Sequence, residues 1–547
     1  MEVRERPPEW RYQRQFLYEE GVVTQARRPD LLRPVTPKLL DDDQVRQFLA
    51  NGYLLLQPEL PAEFHQDLYR RFDRIIGSDN DDNPGNNLLP LVPELQLVFD
   101  DPVVKGALTS VLGDGYLMHP HRVLHDNPPG SDAQVWHHDS YWGYKRKVHN
   151  HHPWWVMIMY YPQAIFEQIG PTGVIPGSQC IAQRLEDIEQ LGRCAEGPAG
   201  TCMMIHYDIW HRKMKNFTDL KRFMVKFEFI RMQRPSGVTW DSAEDEWRDP
   251  ARLPDYAMRP VWRAHWHWLG GRTLAPATGG AGTLDAALAG LDADNNHDRA
   301  QAVAAVAALG SAAAPATDRL VGLLGDDSEV VGLDAAYTLA ALGEAAVGPL
   351  VAALRGDDGV NVDDARCFID EGQKSELEMV ARNAAHGLAA IGRPAQAALL
   401  DCAADGGPRV RKYACFALGE LDSDDDAVID ALVAGCADAE PAVRLNAVEA
   451  LGLKQGTDRA ALALAAALSD DDDEVRFNAA LALARLGPAG DPAVPALKQA
   501  LTDGNRYTMG YAVEALDRIG TPAALAVLLP FLRLSRWCPL TTRENLF

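Results

Sequence analysis

The sequence predicts two architectures in tandem: an α+β half, with helices packed on an antiparallel β sandwich or barrel, followed by an all-α solenoid. Three features of the chain carry that expectation. Its 547 residues exceed the roughly 250–300 at which a single core stops growing. Composition changes near residue 270, with thirteen of the fifteen histidines before it and only His297 and His386 after it. The second half also repeats at a period in the low thirties.

In the first half, residues 41–52 and 62–76 place apolar side chains at helical spacing. Residues 154–161 and 223–230 are the strongest strand runs, rich in aromatic and β-branched side chains. Residues 270–283, rich in Gly, Pro and Ala, read as a linker. The segmentation expected is an arm over 1–40, a first domain over 41–269, the linker, a solenoid over 284–535 and a tail over 536–547.

The repeated pattern is V-R-x-x-A-x-x-A-L, a second apolar helix and an Asp-rich turn. Aligned on the Arg position, the units fall at Arg299, Gly332, Ala381, Arg411, Arg444, Arg476 and Met509, in steps of 33, 49, 30, 33, 32 and 33 residues. Two short amphipathic helices per unit cannot bury their apolar faces alone, so about seven units stack into a solenoid. These units resemble short, Ala-rich HEAT-like repeats of the kind found in phycobilin lyases. The long step marks an insertion over residues 357–380, a surface excursion or part of a binding face.

The formal net charge of −24 disfavours nucleic acid and anionic membranes as partners, since both demand clustered Lys and Arg. Eight cysteines without a C-x-x-C pair suit a reducing compartment. The charged N-terminus lacks an apolar leader and no run of 18 apolar residues occurs, so the expected location is cytoplasmic.

The chemistry gathers round His137 and Asp139. In an extended strand residues i and i+2 project to the same side, so this H-x-D can aim two ligands at one point, with His138 facing away. His211 offers a third. Two imidazoles and one carboxylate form the facial triad suited to Fe(II) and O₂, with open positions on the metal. Arg222 opens the strand run at 223–230, where alternation puts Arg222, Met224, Lys226 and Glu228 on one face and Phe223, Val225, Phe227 and Phe229 on the other. An Arg on the lumen side presents a two-donor fork to a carboxylate.

From about residue 42 to 235 the chain resembles the phytanoyl-CoA dioxygenase-like Fe(II)/2-oxoglutarate oxygenases. The resemblance rests on the H-x-D, the segment 170–179 ending Pro176-Gly177-Ser178-Gln179, and the spacing His206-x4-His211-x4-Asn216-x5-Arg222. It implies a double-stranded β-helix of jelly-roll or cupin type. It further implies iron on His137, Asp139 and His211, and 2-oxoglutarate held by the iron and Arg222, with Trp155 and Asn216 as further cofactor contacts. The activity implied is hydroxylation of an unactivated C–H bond with O₂ as cosubstrate; related halogenases carry a small residue where Asp139 stands. Three positions depart from the family pattern: Lys213 replaces a small hydroxyl residue, Gln179 a histidine, and Gly200-Thr201 the usual Gly-Asp. The expected substrate is a small molecule or a carrier- or peptide-bound group, with the repeats recruiting substrate or a protein partner. The alternative is a HEAT-repeat scaffold or binding protein whose oxygenase domain is vestigial or modifies a bound protein.

Other clusters read more plainly. His149, His151 and His152 suit a loop, and His119, His121 and His125 suit lining or scaffold. Trp240, Trp247, Trp262, Trp266 and Trp268 suit a seam between the halves. Lys145-Arg146-Lys147 reads as a solvated basic loop.

Overall fold

The computed structural model describes residues 35–76, 84–139, 147–183, 185, 188–254, 256–276, 283–356 and 376–534. Most of the N-terminal arm and of the insertion, and residues 277–282 of the linker, lie outside the described residues, as do Lys145, Arg146 and the C-terminal tail.

The first half is β-rich and flanked by helices. Helix α1 (Asp42–Asn51) starts at a capping box between Asp41 and Gln44 and ends at Gly52 in the left-handed region. Helix α2 (Ala62–Ile76) buries His65, Leu68, Phe72 and Ile76 along one face. Helices α3 (Gln96–Phe99) and α4 (Pro102–Leu112) complete this layer. The strands are β1 (Tyr53–Leu56), β2 (Leu117–Asn127), β3 (Trp155–Tyr160), β4 (Thr172–Val174), β5 (Arg193–Cys194), β6 (Cys202–His206), β7 (His211–Lys213) and β8 (Arg222–Ile230). They form a five-stranded sheet in the order β1-β6-β3-β8-β2 and a three-stranded sheet in the order β5-β4-β7, every pair antiparallel. This is the two-sheet jelly roll of a double-stranded β-helix.

All nine residues of β8 are buried, yet they include three charged side chains. Alternation explains how. Phe223, Phe227 and Phe229 face the helical layer, where Phe223 meets Tyr69 at 5.1 Å and Phe227 meets Phe99 at 4.3 Å between ring centres. Arg222, Lys226 and Glu228 face the lumen.

Helix α5 (Arg259–Leu269) joins this half to the solenoid. The first helices of the seven repeat units are α6 (Asn296–Ala308), α7 (Glu329–Ala341), α8 (Glu376–Ile391), α9 (Pro408–Glu420), α10 (Pro441–Gly452), α11 (Asp473–Leu486) and α12 (Arg506–Ile519). The V-R signature has a physical cause. Arg299, Arg411, Arg444 and Arg476 each reach the Asp-rich turn that closes their own unit, pairing with Asp326, Asp438, Asp470 and Asp503 at 2.7–2.9 Å. Each Arg also donates to carbonyls of the preceding turn, so one side chain staples two turns.

The halves share a wide, dry seam. Trp262 and Trp266 of α5 are fully buried, and Trp262 packs in one cluster with Leu333 and Tyr337 of α7. The segment 149–152 inserts there. His151 stacks on His386 of α8 at 3.7 Å, His152 stacks on Trp268 at 4.0 Å, and His152 Nδ1 lies 2.8 Å from Glu420 of α9. The segment is the irregular loop expected from sequence, and its histidines are packed into the interface between the halves.

Burial holds the seam imidazoles neutral. It pushes His151, His265 and His386 well below the usual histidine range and His206 to about 4, with neighbouring histidines and Arg382 adding to it; His152 is lowered less because Glu420 opposes burial. The unfolded chain therefore binds more protons than the folded one below about pH 6.5, so stability is full above that pH and is lost on acidification. The expected cost is up to about 1.4 kcal/mol per histidine per pH unit. Thermal melts should fall steeply between pH 6.5 and 4.5, and a flat profile would show that the seam histidines are not buried neutral.

Candidate metal centre

His137 and His211 meet across an antiparallel bridge in which each backbone N–H donates to the other residue's carbonyl at 3.0 Å. Residues 134–137 thus extend the smaller sheet beyond β7. Alternation then sorts the side chains. Trp136 and Trp210 pack outward with Ile175 and Ile188, and His138 turns away to meet Trp210 at 4.2 Å and the Asp208 carbonyl at 2.5 Å. His137, Asp139 and His211 turn inward.

Their ligand atoms lie within 4.8 Å of one another, and among the described residues no other His/Cys/Asp/Glu group has this geometry. His137 Nε2 is 3.9 Å from Asp139 Oδ1, and His211 Nε2 is 3.6 Å from Asp139 Oδ2. Ligands at right angles around a first-row metal sit about 3 Å apart for bonds of about 2.1 Å, so a small closing movement suffices. Both rings are oriented from behind: Nδ1 of His137 faces the Val135 carbonyl at 2.9 Å and Nδ1 of His211 the Ile209 carbonyl at 3.0 Å. Donation from Nδ1–H leaves each Nε2 lone pair directed at the common point.

Lys226 completes the cluster, its ammonium 2.7 Å from Asp139 Oδ2 and 3.7 Å from Glu228. Burial opposes the Asp139 charge, but Lys226 and then His211 hold its carboxyl well below the usual carboxylate range. Burial likewise opposes the Lys226 charge, and Asp139 and Glu228 outweigh it. Glu228 is pushed up to about 7 by burial, with Lys226 pulling the other way. His211 falls to about 4 and His125 to about 3, burial leading in both, so each ring is a neutral imidazole near pH 7. Lys226 was assigned to the lumen face by alternation but given no role. Its signal in the sequence is a lysine on an otherwise aromatic strand.

Arg222 is buried at the start of β8. Its Nε donates to the Gly170 carbonyl at 3.1 Å, its guanidinium lies 5.9 Å from the Tyr161 ring centre, and Nη1 is buried with no hydrogen-bond partner among the described residues. Gly170 makes room: its φ is +67°, and a side chain there would meet Asn127 at 2.5 Å and Met214 at 2.6 Å. Trp155 sits on the inner face of β3 between His119 at 5.2 Å and Tyr207 at 5.4 Å.

Asn216 is placed differently from the other predicted contacts. Its amide donates to the carbonyls of Asn127 and Leu220, and its oxygen accepts from the backbone and hydroxyl of Thr218. That side chain is spent on shaping the loop before β8. Gln179 donates to the Leu49 carbonyl at 2.8 Å and ties its segment to α1, a role a histidine is not needed for.

Residues 35–224 match the family model described as phytanoyl-CoA dioxygenase, and residues 429–506 and 462–537 match the model of HEAT repeats. The β-rich part is thus of that oxygenase type, and the helical part carries HEAT repeats. No curated protein matches the chain. Among solved structures, a non-heme monooxygenase, ThoJ in complex with nickel, is 16% identical with a TM-score of 0.29, covering 40% of this chain and 92% of that one. EctD from S. alaskensis with 2-oxoglutarate and 5-hydroxyectoine is 17% identical with a TM-score of 0.30, covering 42% and 89%; the same enzyme with bound Fe covers 41% and 92%.

Two substitutions separate site from scaffold. Asn216→Ala should lower stability by about 1–3 kcal/mol through the unpaired loop carbonyls, read by chemical denaturation, while 2-oxoglutarate affinity stays within a few-fold. Lys226→Met should cost the metal-free protein about 3–5 kcal/mol by leaving Asp139 buried and unpaired. Adding Asp139→Asn should recover much of that loss, a coupling that a double-mutant cycle measures.

Proposed function

We propose that this protein is a non-haem Fe(II)- and 2-oxoglutarate-dependent dioxygenase that hydroxylates an unactivated C–H bond of a small-molecule or carrier- or peptide-bound substrate. In this reading residues 41–269 form the oxygenase domain, residues 270–283 the linker and residues 284–535 the repeat domain. The convergence of His137, Asp139 and His211, with a buried Arg222 whose Nη1 has no partner among the described residues, carries it. The donor set suits iron: two imidazoles and a carboxylate on one side leave the other positions to cosubstrate and O₂.

His137 and His211 would present Nε2 to the metal, each ring locked by the carbonyl behind it. Asp139 would bind as the anion that Lys226 maintains. Arg222, whose Nη1 has no hydrogen-bond partner among the described residues, would hold the distal carboxylate of 2-oxoglutarate by charge-assisted hydrogen bonds, while Trp155, opposite Ile230, lies at the other end of β8. Bound Fe(II) with 2-oxoglutarate and O₂ would supply the oxidant for C–H abstraction, releasing succinate and CO₂. Among the described residues no helix is long and apolar enough to cross a membrane.

Anaerobic titration of the metal-free protein with Fe(II) and 2-oxoglutarate tests this. A saturable visible charge-transfer band is expected in the wild type. His137→Ala should lose it, and Arg222→Ala should need at least about tenfold more 2-oxoglutarate. A folded wild type that gives no band would overturn the proposal.

A further inference from the structure

The solenoid docks on the oxygenase at the lumen itself. On β2 the pairing of Val123 with Lys226 and of His125 with Met224 puts Val123 and His125 on the lumen face, and beyond them, in the bulged stretch, His119 lies 3.1 Å from Glu228. His121, Val123 and His125 are partly exposed, whereas Leu124 between them is fully buried. His121, Val123 and His125 thus form a partly exposed strip that runs away from Asp139 and Lys226. His125 to His121 is four residues, about 13 Å along a strand.

Helix α12 closes the far end of that strip. Gly510 lies against Pro120, where an added Cβ would be 2.7 Å from the proline ring. Arg518 donates to the carbonyls of Gly115 and Tyr116 at 2.9 and 3.4 Å. Tyr511 meets His119 at 5.2 Å and Tyr507 stacks on it at 5.6 Å. The Tyr507 hydroxyl lies 3.2 Å from His121 Nδ1 and accepts a 2.7 Å hydrogen bond from Arg506. While accepting from Arg506, the hydroxyl has its one proton to give to Nδ1 of His121, whose ring burial holds near a pKa of about 4. Arg506 is exposed and makes no ion pair among the described residues, in a chain of net charge −24 whose other repeat arginines largely have aspartate partners.

We propose that Arg506 and Tyr507 of the seventh repeat are specificity-determining residues of the oxygenase cavity. Arg506, positioned by Tyr507, would bind an oxyanion of the substrate, a carboxylate or a phosphomonoester, at one end of an extended molecule whose other end lies at the metal centre. This assignment of substrate class rests on the oxygenase reading above. Arg506 supplies the fork for the oxyanion and the Tyr507 hydroxyl, accepting from Arg506, holds that guanidinium in place, while Val123 and the rings of His121 and His125 line the path for an apolar or weakly polar middle.

The test uses the full chain and calorimetry, with octanoate, decanoate and dodecanoate, the corresponding alkyl phosphates, and the uncharged alcohols as probes. At least one anionic series should bind about ten- to hundredfold more tightly than its alcohols, and the series that wins identifies the oxyanion. Arg506→Met should erase that preference, and Tyr507→Phe should weaken it while thermal melts show both variants folded. Equal binding of anions and alcohols, an anion preference that survives Arg506→Met, or no binding by any probe would overturn the proposal. Because calorimetry needs no charge-transfer band, the two readings fail separately. A band without anion preference removes only the Arg506 assignment, and anion preference without a band removes only the oxygenase.

Discussion

The interaction on which the site depends is the ion pair between Lys226 and Asp139 inside the β lumen. A carboxylate taken out of water carries a desolvation cost of several kcal/mol unless an opposite charge meets it at close range. Lys226 meets it at 2.7 Å, so Asp139 stays ionised without a metal, which is the form a metal ligand must take. The pair also explains why a fully buried strand tolerates charge at all. Lys226 is held by two carboxylates, Asp139 and Glu228, and Glu228 in turn has His119 3.1 Å away. A line of titratable groups therefore runs along β8 and β2 from the metal ligands to the rings that α12 covers.

Register carries the same constraint into the fold. A slip of one residue in β8 would turn Arg222, Lys226 and Glu228 toward the helical layer and expose Phe223, Phe227 and Phe229 to the lumen. Neither face would accept the exchange. The aromatic edges packed by Tyr69, Phe72 and Phe99 and the polar lumen thus specify one pairing together. The bulge in β2 between Met118 and Arg122 lies outside the stretch where Val123 and His125 face β8, so irregularity is confined to the end that the solenoid covers.

What was legible in the sequence follows from the range of each interaction. The inward set of His137 and Asp139, the outward turn of His138 and the two faces of β8 are consequences of a two-residue period, and they could be read directly. The solenoid was legible because each V-R helix closes on its own Asp-rich turn about 27 residues later, as Arg411 does on Asp438. The seam was half legible. Clustered tryptophans pointed to it and the histidine run read correctly as a loop, but nothing local announces that His151 stacks on His386 or that His152 lies on Trp268. Lys226 was placed on the right face without a role because its partner, Asp139, is 87 residues away. Asn216 shows the opposite limit: a motif position says where a residue lies in the chain, and only geometry shows that its amide is already bound by the loop.

The position of the repeats changes what they can do. First helices of successive units meet the oxygenase in turn. Tyr337 of α7, His386 of α8 and Glu420 of α9 lie at the histidine seam, Glu449 of α10 pairs with Lys147, and Arg485 of α11 lies over Trp154. Tyr507 and Tyr511 of α12 then reach the lumen edge. A solenoid holds each unit only through its neighbours, so the placement of α12 depends on the stacking of every unit between it and the seam. A change in repeat stacking, such as a bulky side chain at Gly452, which packs 2.6 Å from Ala482 if given a Cβ, is therefore transmitted to β2. The repeat array thus lies along one domain with a contact from each successive first helix, and the last of these contacts falls on β2.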